Sequence, residues 1–131
     1  MSITRFEDIK AWQACKDLVI DIYAVTSKGE FSRDYGLQRQ IRDAAVSAMS
    51  NIAEGFERGT DKEFIQFLII ARGSLAEVRS QLYVARDLRY VGDGEFNALL
   101  GKASEAGRLV NGFITYLRKN SSSKKTSRLA G

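Results

Sequence analysis

The chain has no histidine and a single cysteine among 131 residues, and this limits the chemistry it can perform. Without histidine it lacks the commonest general base and the commonest transition-metal ligand. Cys15 lies on the apolar side of a helical pattern with no base at hand, and reads as a buried, inert thiol. The Gly55-Phe-Glu-Arg-Gly59 stretch lacks the lysine and the spacing of a phosphate-cradling loop. That leaves Glu54 and Glu77 as the carboxylates that acid/base or metal chemistry would have to use. Bundle sites of that type rely on a Glu with a His three residues on, and this chain cannot supply one. Glu54 and Glu77 are therefore expected to accept hydrogen bonds, or to pair with arginines such as Arg42 near the turn between the second and third helices. The chain is expected to be non-catalytic, with no cofactor and no metal.

The remaining chemistry is cationic. Arg72, Arg79 and Arg86 recur every seven residues and form one row along a helix. Two readings stay open: a solvated face partly neutralised by Glu77 and Asp87, or a strip of guanidinium groups for phosphates. Arg118, Lys119, Lys124 and Lys125 add charge at the C-terminal end. From Arg118 onward there are five bases and no acid, so of the total 20 basic and 16 acidic residues the preceding 117 hold 15 and 16. The body carries about −1, and the basicity belongs to the tail.

These groups must be positioned by helices. The chain has 44% hydrophobic residues and no proline to interrupt a helix. At this length one domain buries roughly two thirds of its unfolded surface without disulfides. No signal segment or apolar run of membrane-spanning length is present, which makes the cytoplasm the simplest compartment. Ile9, Trp12, Cys15, Val19, Ile22 and Val25 give a first helix starting between Thr4 and Asp8, with Thr4 and Glu7 at capping-box spacing, and ending near Thr26. A connection over Gly29 to Ser32 ends in a second cap at Ser32, and a helix rich in small residues follows from about Arg33 to Phe56. Thr60 and Glu63 cap a third helix from Asp61 to about Arg89, roughly 43 Å long and expected to be the longest. On it Ile65, Ile69, Ile70 and Tyr83 widen the apolar surface beyond one seam, which suggests a second partner. A turn over Tyr90 to Gly94 leads to a fourth helix reaching about Lys119, where Gly101, Gly107 and Gly112 predict close helix contact. The fold class is all-α, an antiparallel up-down-up-down four-helix bundle over residues 1–119. Residues 120–131 are expected to form a disordered basic tail.

The most specific segment carries polar residues inside apolar runs. Asn51, Glu54, Gly55, Ser74 and Glu77 sit among Ile52, Ala53, Leu75 and Val78, where an unpaired polar group costs about 1–3 kcal/mol. Asn51 and Ser74 are short enough to bridge helices and set their register. The run Leu37, Gln40, Arg42, Ala44, Ser47, Asn51-Ile-Ala-Glu-Gly55, Arg58, Phe64, Phe67-Leu68, Ala71, Gly73-Ser74 and Glu77 follows one pattern. It resembles the four-helix-bundle proteins encoded in intervening sequences of bacterial large-subunit ribosomal RNA genes, over roughly residues 6–118. The accessory variability determinants of diversity-generating retroelements belong to the same superfamily.

That resemblance implies a homo-oligomer, in particular a pentamer, with RNA or DNA as a partner and, in a retroelement setting, a reverse transcriptase. The chain departs from the family pattern in two places. Arg42-Asp43 replaces an arginine pair, which weakens phosphate binding by the body, and Phe31-Ser32 stands where a proline precedes the second helix. Five assembled bodies would carry about −5 and their tails about +25, so tails acting together would bind phosphates better than one alone. The expected function is a non-catalytic nucleic-acid-binding or scaffold role. An oligomeric protein-interaction module without nucleic acid is the alternative.

Overall fold

The computed structural model describes residues 3–120. It contains α1 (Lys10–Thr26), α2 (Tyr35–Phe56), α3 (Asp61–Asp87) and α4 (Asp93–Asn120), and no strand among the described residues. Three-residue and five-residue 3-10 turns at Phe6–Asp8 and Gly29–Arg33 precede α1 and α2. Each helix packs on its sequence neighbours and α4 closes onto α1, giving the up-down-up-down bundle. Cys15, Leu18 and Ile22 meet Ile41, Ala45 and Ile52, then Phe64, Leu68 and Leu82, then Ala106 and Val110 in one continuous core.

Local signals set most of the helix ends. Thr60 Oγ1 accepts from the Glu63 amide at 3.2 Å and donates to Glu63 Oε1 at 3.1 Å, so the expected cap at α3 is present. The caps expected at Thr4 and Ser32 are not. Arg5 draws Glu7 and Asp8 into ion pairs at 3.6 and 3.7 Å, and α1 opens only at Lys10, behind Ile9. At α2 the cap is Asp34, whose Oδ1 accepts from Leu37 N at 3.1 Å, while the Ser32 hydroxyl donates to Gly29 O at 2.6 Å. Asp34 wins because its Oδ2 also accepts from the Tyr90 hydroxyl at 2.9 Å, which ties the start of α2 to the α3–α4 turn. Phe31, fully buried, stacks on Tyr90 with ring centroids 5.2 Å apart and plugs the same end.

The third helix stops short of its expected end. Arg89 takes a left-handed φ of +62°, and Tyr90 N and Arg89 N donate to Ala85 O at 2.8 Å and Arg86 O at 2.9 Å. This is the paired closure that ends helices at a left-handed residue. At 27 residues α3 is therefore shorter than the 28-residue α4.

The α2–α3 pair packs most extensively, as the small residues of α2 predict. Gly55 is decisive there: a Cβ would lie 2.6 Å from Phe67 Cβ and 2.9 Å from Phe64 Cδ1. Gly101, Gly107 and Gly112 behave otherwise, because a Cβ at each meets nothing within 4 Å. They face open space on α4, so close helix contact does not explain them. The extra apolar surface of α3 also divides. Ile65 is buried and Ile69 is partly buried against the core, whereas Ile70 and Tyr83 are exposed.

Candidate functional site

The polar motif is a packing device between α2 and α3. Ser74 is buried, and its hydroxyl meets that of Ser47 at 2.9 Å across the interface. Asn51 Nδ2 donates back to Ser47 O at 2.8 Å and to Ser47 Oγ at 3.1 Å. One small network thus satisfies the short polar groups and sets the register of the two helices.

Arg42 does not join Glu54 or Glu77. Its Nε donates to Thr26 Oγ1 at 2.8 Å and its Nη2 to Ser27 Oγ at 3.0 Å, with the guanidinium 4.3 Å from the Tyr23 ring centroid. Gln38 Nε2 donates to Thr26 O at 2.8 Å beside it. Arg42 therefore closes the C-terminal end of α1, where a cation is favoured by the helix dipole. Glu54 pairs instead with Arg58 at 3.9 Å, on the surface of the α2–α3 turn, and Arg58 also reaches Glu63 at 3.3 Å. Glu77 is exposed and has no hydrogen-bond or ion-pair partner among the described residues. It lines a recess of about 490 Å³ with Gln40, Asp43, Ser47 and Gln81. No group of three or more His, Cys, Asp or Glu able to hold a metal occurs among the described residues.

The arginine row lies along the edge where α3 meets α4. Arg72 Nη1 donates to Asn111 Oδ1 of α4 at 2.9 Å. Arg79, one coiled-coil repeat further, is exposed with no hydrogen-bond or ion-pair partner among the described residues. Arg86 reaches Asp87 at 3.3 Å and lies over two rings, 5.1 Å from the Tyr83 centroid and 4.6 Å from that of Phe96. Asp87 is the one acid paired with the row among the described residues, and Glu77 faces the α2 side instead. Arg118 and Lys119 are exposed near the end of α4, and Lys124, Lys125 and the rest of the expected tail lie outside the described residues.

Three titratable groups, Cys15, Tyr90 and Lys102, are shifted upward by their surroundings, Lys102 by its hydrogen bond to Asp21. Burial pushes the Cys15 thiol up to about 12, which keeps it protonated and unreactive. The hydrogen bond to Asp34 raises the Tyr90 phenol above its ordinary value. On the far side of the bundle, Lys102 of α4 forms an ion pair with Asp21 of α1.

With this arrangement, residues 7–112 match the family model of the 23S rRNA-intervening sequence protein. The chain belongs to that family. The matched span of this intervening sequence protein takes in the Asn51-to-Gly55 motif, Arg42 and the whole α3 arginine row, and stops before Arg118. The fold is also similar to that of a protein of unknown function from the S23 ribosomal protein family of Bacteroides thetaiotaomicron VPI-5482. The two share 18% identity and a TM-score of 0.73 over 79% of this chain and 97% of that one, a likeness of fold. No curated protein matches the chain. No helix among the described residues of this intervening sequence protein is long and apolar enough to cross a membrane.

One aromatic feature of the row escaped the sequence reading. Tyr83 meets Phe96 of α4 edge-on, with centroids 5.1 Å apart at 67°. Its sequence signal was present, since Tyr83 lies four residues after Arg79 and three before Arg86. Phe96, thirteen residues after Tyr83 and across a turn, was not predictable as its partner.

Proposed function

We propose that this intervening sequence protein is a non-catalytic, cytoplasmic, oligomeric scaffold that binds RNA or DNA through phosphate contacts. The element it serves is the ribosomal intervening sequence or a related retroelement, where a reverse transcriptase would be the protein partner. One observation carries the reading: Arg72 and Arg79 are exposed on one edge of α3, in line with Arg86, and among the described residues the one acid paired with the row is Asp87, on Arg86. The ends of the row are about 21 Å apart along the helix. Each guanidinium of such a row can hold a phosphate of one backbone through two parallel hydrogen bonds. Arg42 stands apart from this surface because its guanidinium is held at the C-terminal end of α1 by Thr26, Ser27 and the Tyr23 ring.

The test is affinity for a structured RNA as a function of salt, for the full chain and for one ending at Lys119. Binding through the row predicts a log–log slope that becomes less steep by about 0.7–0.9 for each of Arg72→Gln and Arg79→Gln. Binding lost entirely with the tail would leave the folded body a scaffold. No binding by either form at low salt overturns the nucleic-acid reading.

A second reading draws on Ile70, Val84 and Leu88, which are 51%, 45% and 49% exposed and fall on one side of α3. Exposed apolar residues in such an alignment favour a protein interface. The assembly we propose uses this face, and a pentamer would have five times the 14.6 kDa chain mass in solution. Ile70→Glu with Val84→Glu should reduce that mass to the monomer's. If nucleic acid is not bound and the assembly persists, the protein is an interaction module alone.

A further inference from the structure

We infer that Tyr83 is a stacking platform for an unpaired base of a single-stranded polynucleotide whose phosphates lie along Arg72, Arg79 and Arg86. This rests on the nucleic-acid reading and specifies the form of its ligand. Tyr83 is 46% exposed, although a tyrosine in a bundle of this size could have turned its ring inward. Its ring is held in place: Phe96 meets it edge-on at 5.1 Å, and the Arg86 guanidinium sits 5.1 Å from its centroid. Arg79, Tyr83 and Arg86 follow one another at steps of four and three, so they are neighbours on one helix face. An exposed ring with the Arg86 guanidinium against it and Arg79 one helical turn away is the combination that single-strand sites use. The cations take the backbone, and the ring takes a base face of any sequence. A duplex presents edges and phosphates but buries its base faces in the stack, so the ring adds affinity only for unpaired nucleotides. The arginines alone would not discriminate between the two forms.

The experiment measures binding of a labelled single-stranded oligonucleotide of about 12 residues, as RNA and as DNA, and of the corresponding duplex. It uses the full chain and its variants. The expected result is preference for the single strand, with Tyr83→Ala and Tyr83→Leu weakening that binding about 5- to 100-fold. Their salt slope and duplex affinity stay unchanged, because stacking releases no counterions. Tyr83→Phe and Tyr83→Trp retain the wild-type preference, and Tyr83→Leu, which keeps apolar contact with Phe96, separates loss of stacking from loss of packing. Similar affinity of RNA and DNA supports stacking on a base face, and a large RNA preference with unchanged Tyr83→Ala affinity overturns it. Salt-dependent binding that Tyr83→Ala leaves intact overturns the inference and spares the function. Tyr83→Ala that leaves nucleic-acid binding intact but lowers the mass in solution assigns the ring to a protein interface. Absence of any binding at low salt overturns both.

Discussion

Gly55 of α2 lies so close to Phe67 of α3 that a methyl group on it would sit 2.6 Å from Phe67 Cβ. Contact at that distance is relieved only by moving the α3 backbone, because Phe67 Cβ is not the end of a flexible chain. Gly55→Ala is expected to destabilise the bundle by about 1–3 kcal/mol. Gly101→Ala and Gly107→Ala, open to solvent on α4, should each stabilise it by about 0.5–1 kcal/mol. Urea midpoints for the three variants decide the matter, and equal losses at all three would contradict the difference in packing.

Arg42 presents its guanidinium to Thr26, Ser27 and the Tyr23 ring. Arg42→Met is expected to cost about 1–2 kcal/mol, through lost hydrogen bonds and ring contact. The salt dependence of nucleic-acid binding should not change with it. A smaller slope in Arg42→Met would instead place this residue on the phosphate surface.

Arg89 holds a left-handed backbone conformation that an L side chain adopts at a cost. Arg89→Gly relieves it and should raise stability by about 0.5–1 kcal/mol. Thermal melting measures this directly, and a lowered melting temperature would show that the Arg89 side chain contributes more than its strain.

Cys15 ionises near 9.0 when unfolded and at about 12 in the core, where burial disfavours the thiolate. The protonated thiol is thus favoured by the fold. Its contribution to stability is complete below pH 9 and is lost as pH rises from there through about 12. Wild type should lose stability over that range more steeply than Cys15→Ala, by up to about 1.4 kcal/mol per pH unit. At pH 8 iodoacetamide should label Cys15 only after denaturation; rapid labelling of the native chain would rule out the buried thiol.

The fold was largely legible in the residues themselves, and the site only in part. Apolar recurrence at three and four residues fixes which side of each helix is buried, and the Thr60–Glu63 cap works within one turn, so both are local. Leu18 of α1, fully buried in the core, lies outside the expected face of Ile9, Trp12, Cys15, Val19, Ile22 and Val25. The arginine spacing likewise revealed a row before any fold was known. Its surroundings were not visible, because Arg72 meets Asn111 and Arg86 meets Phe96 across the α3–α4 turn. The expected pairing of Arg42 with Glu54 or Glu77 failed for the same reason: its partners lie 15 and 16 residues away on α1.

By itself, then, the amino-acid sequence determined an all-α chain, four amphipathic helices, the absence of histidine chemistry and a basic row at heptad spacing. Those are properties of composition and of the 3.6-residue period, which act within a single helix. Only the tertiary structure decided that Ser74 meets Ser47, that Asp34 rather than Ser32 caps α2 through its tie to Tyr90, and that Arg42 closes α1. The period of a helix fixes its buried face. The rotation and axial register of one helix against the next come from side-chain packing and hydrogen bonds between distant segments, and these choose the partners.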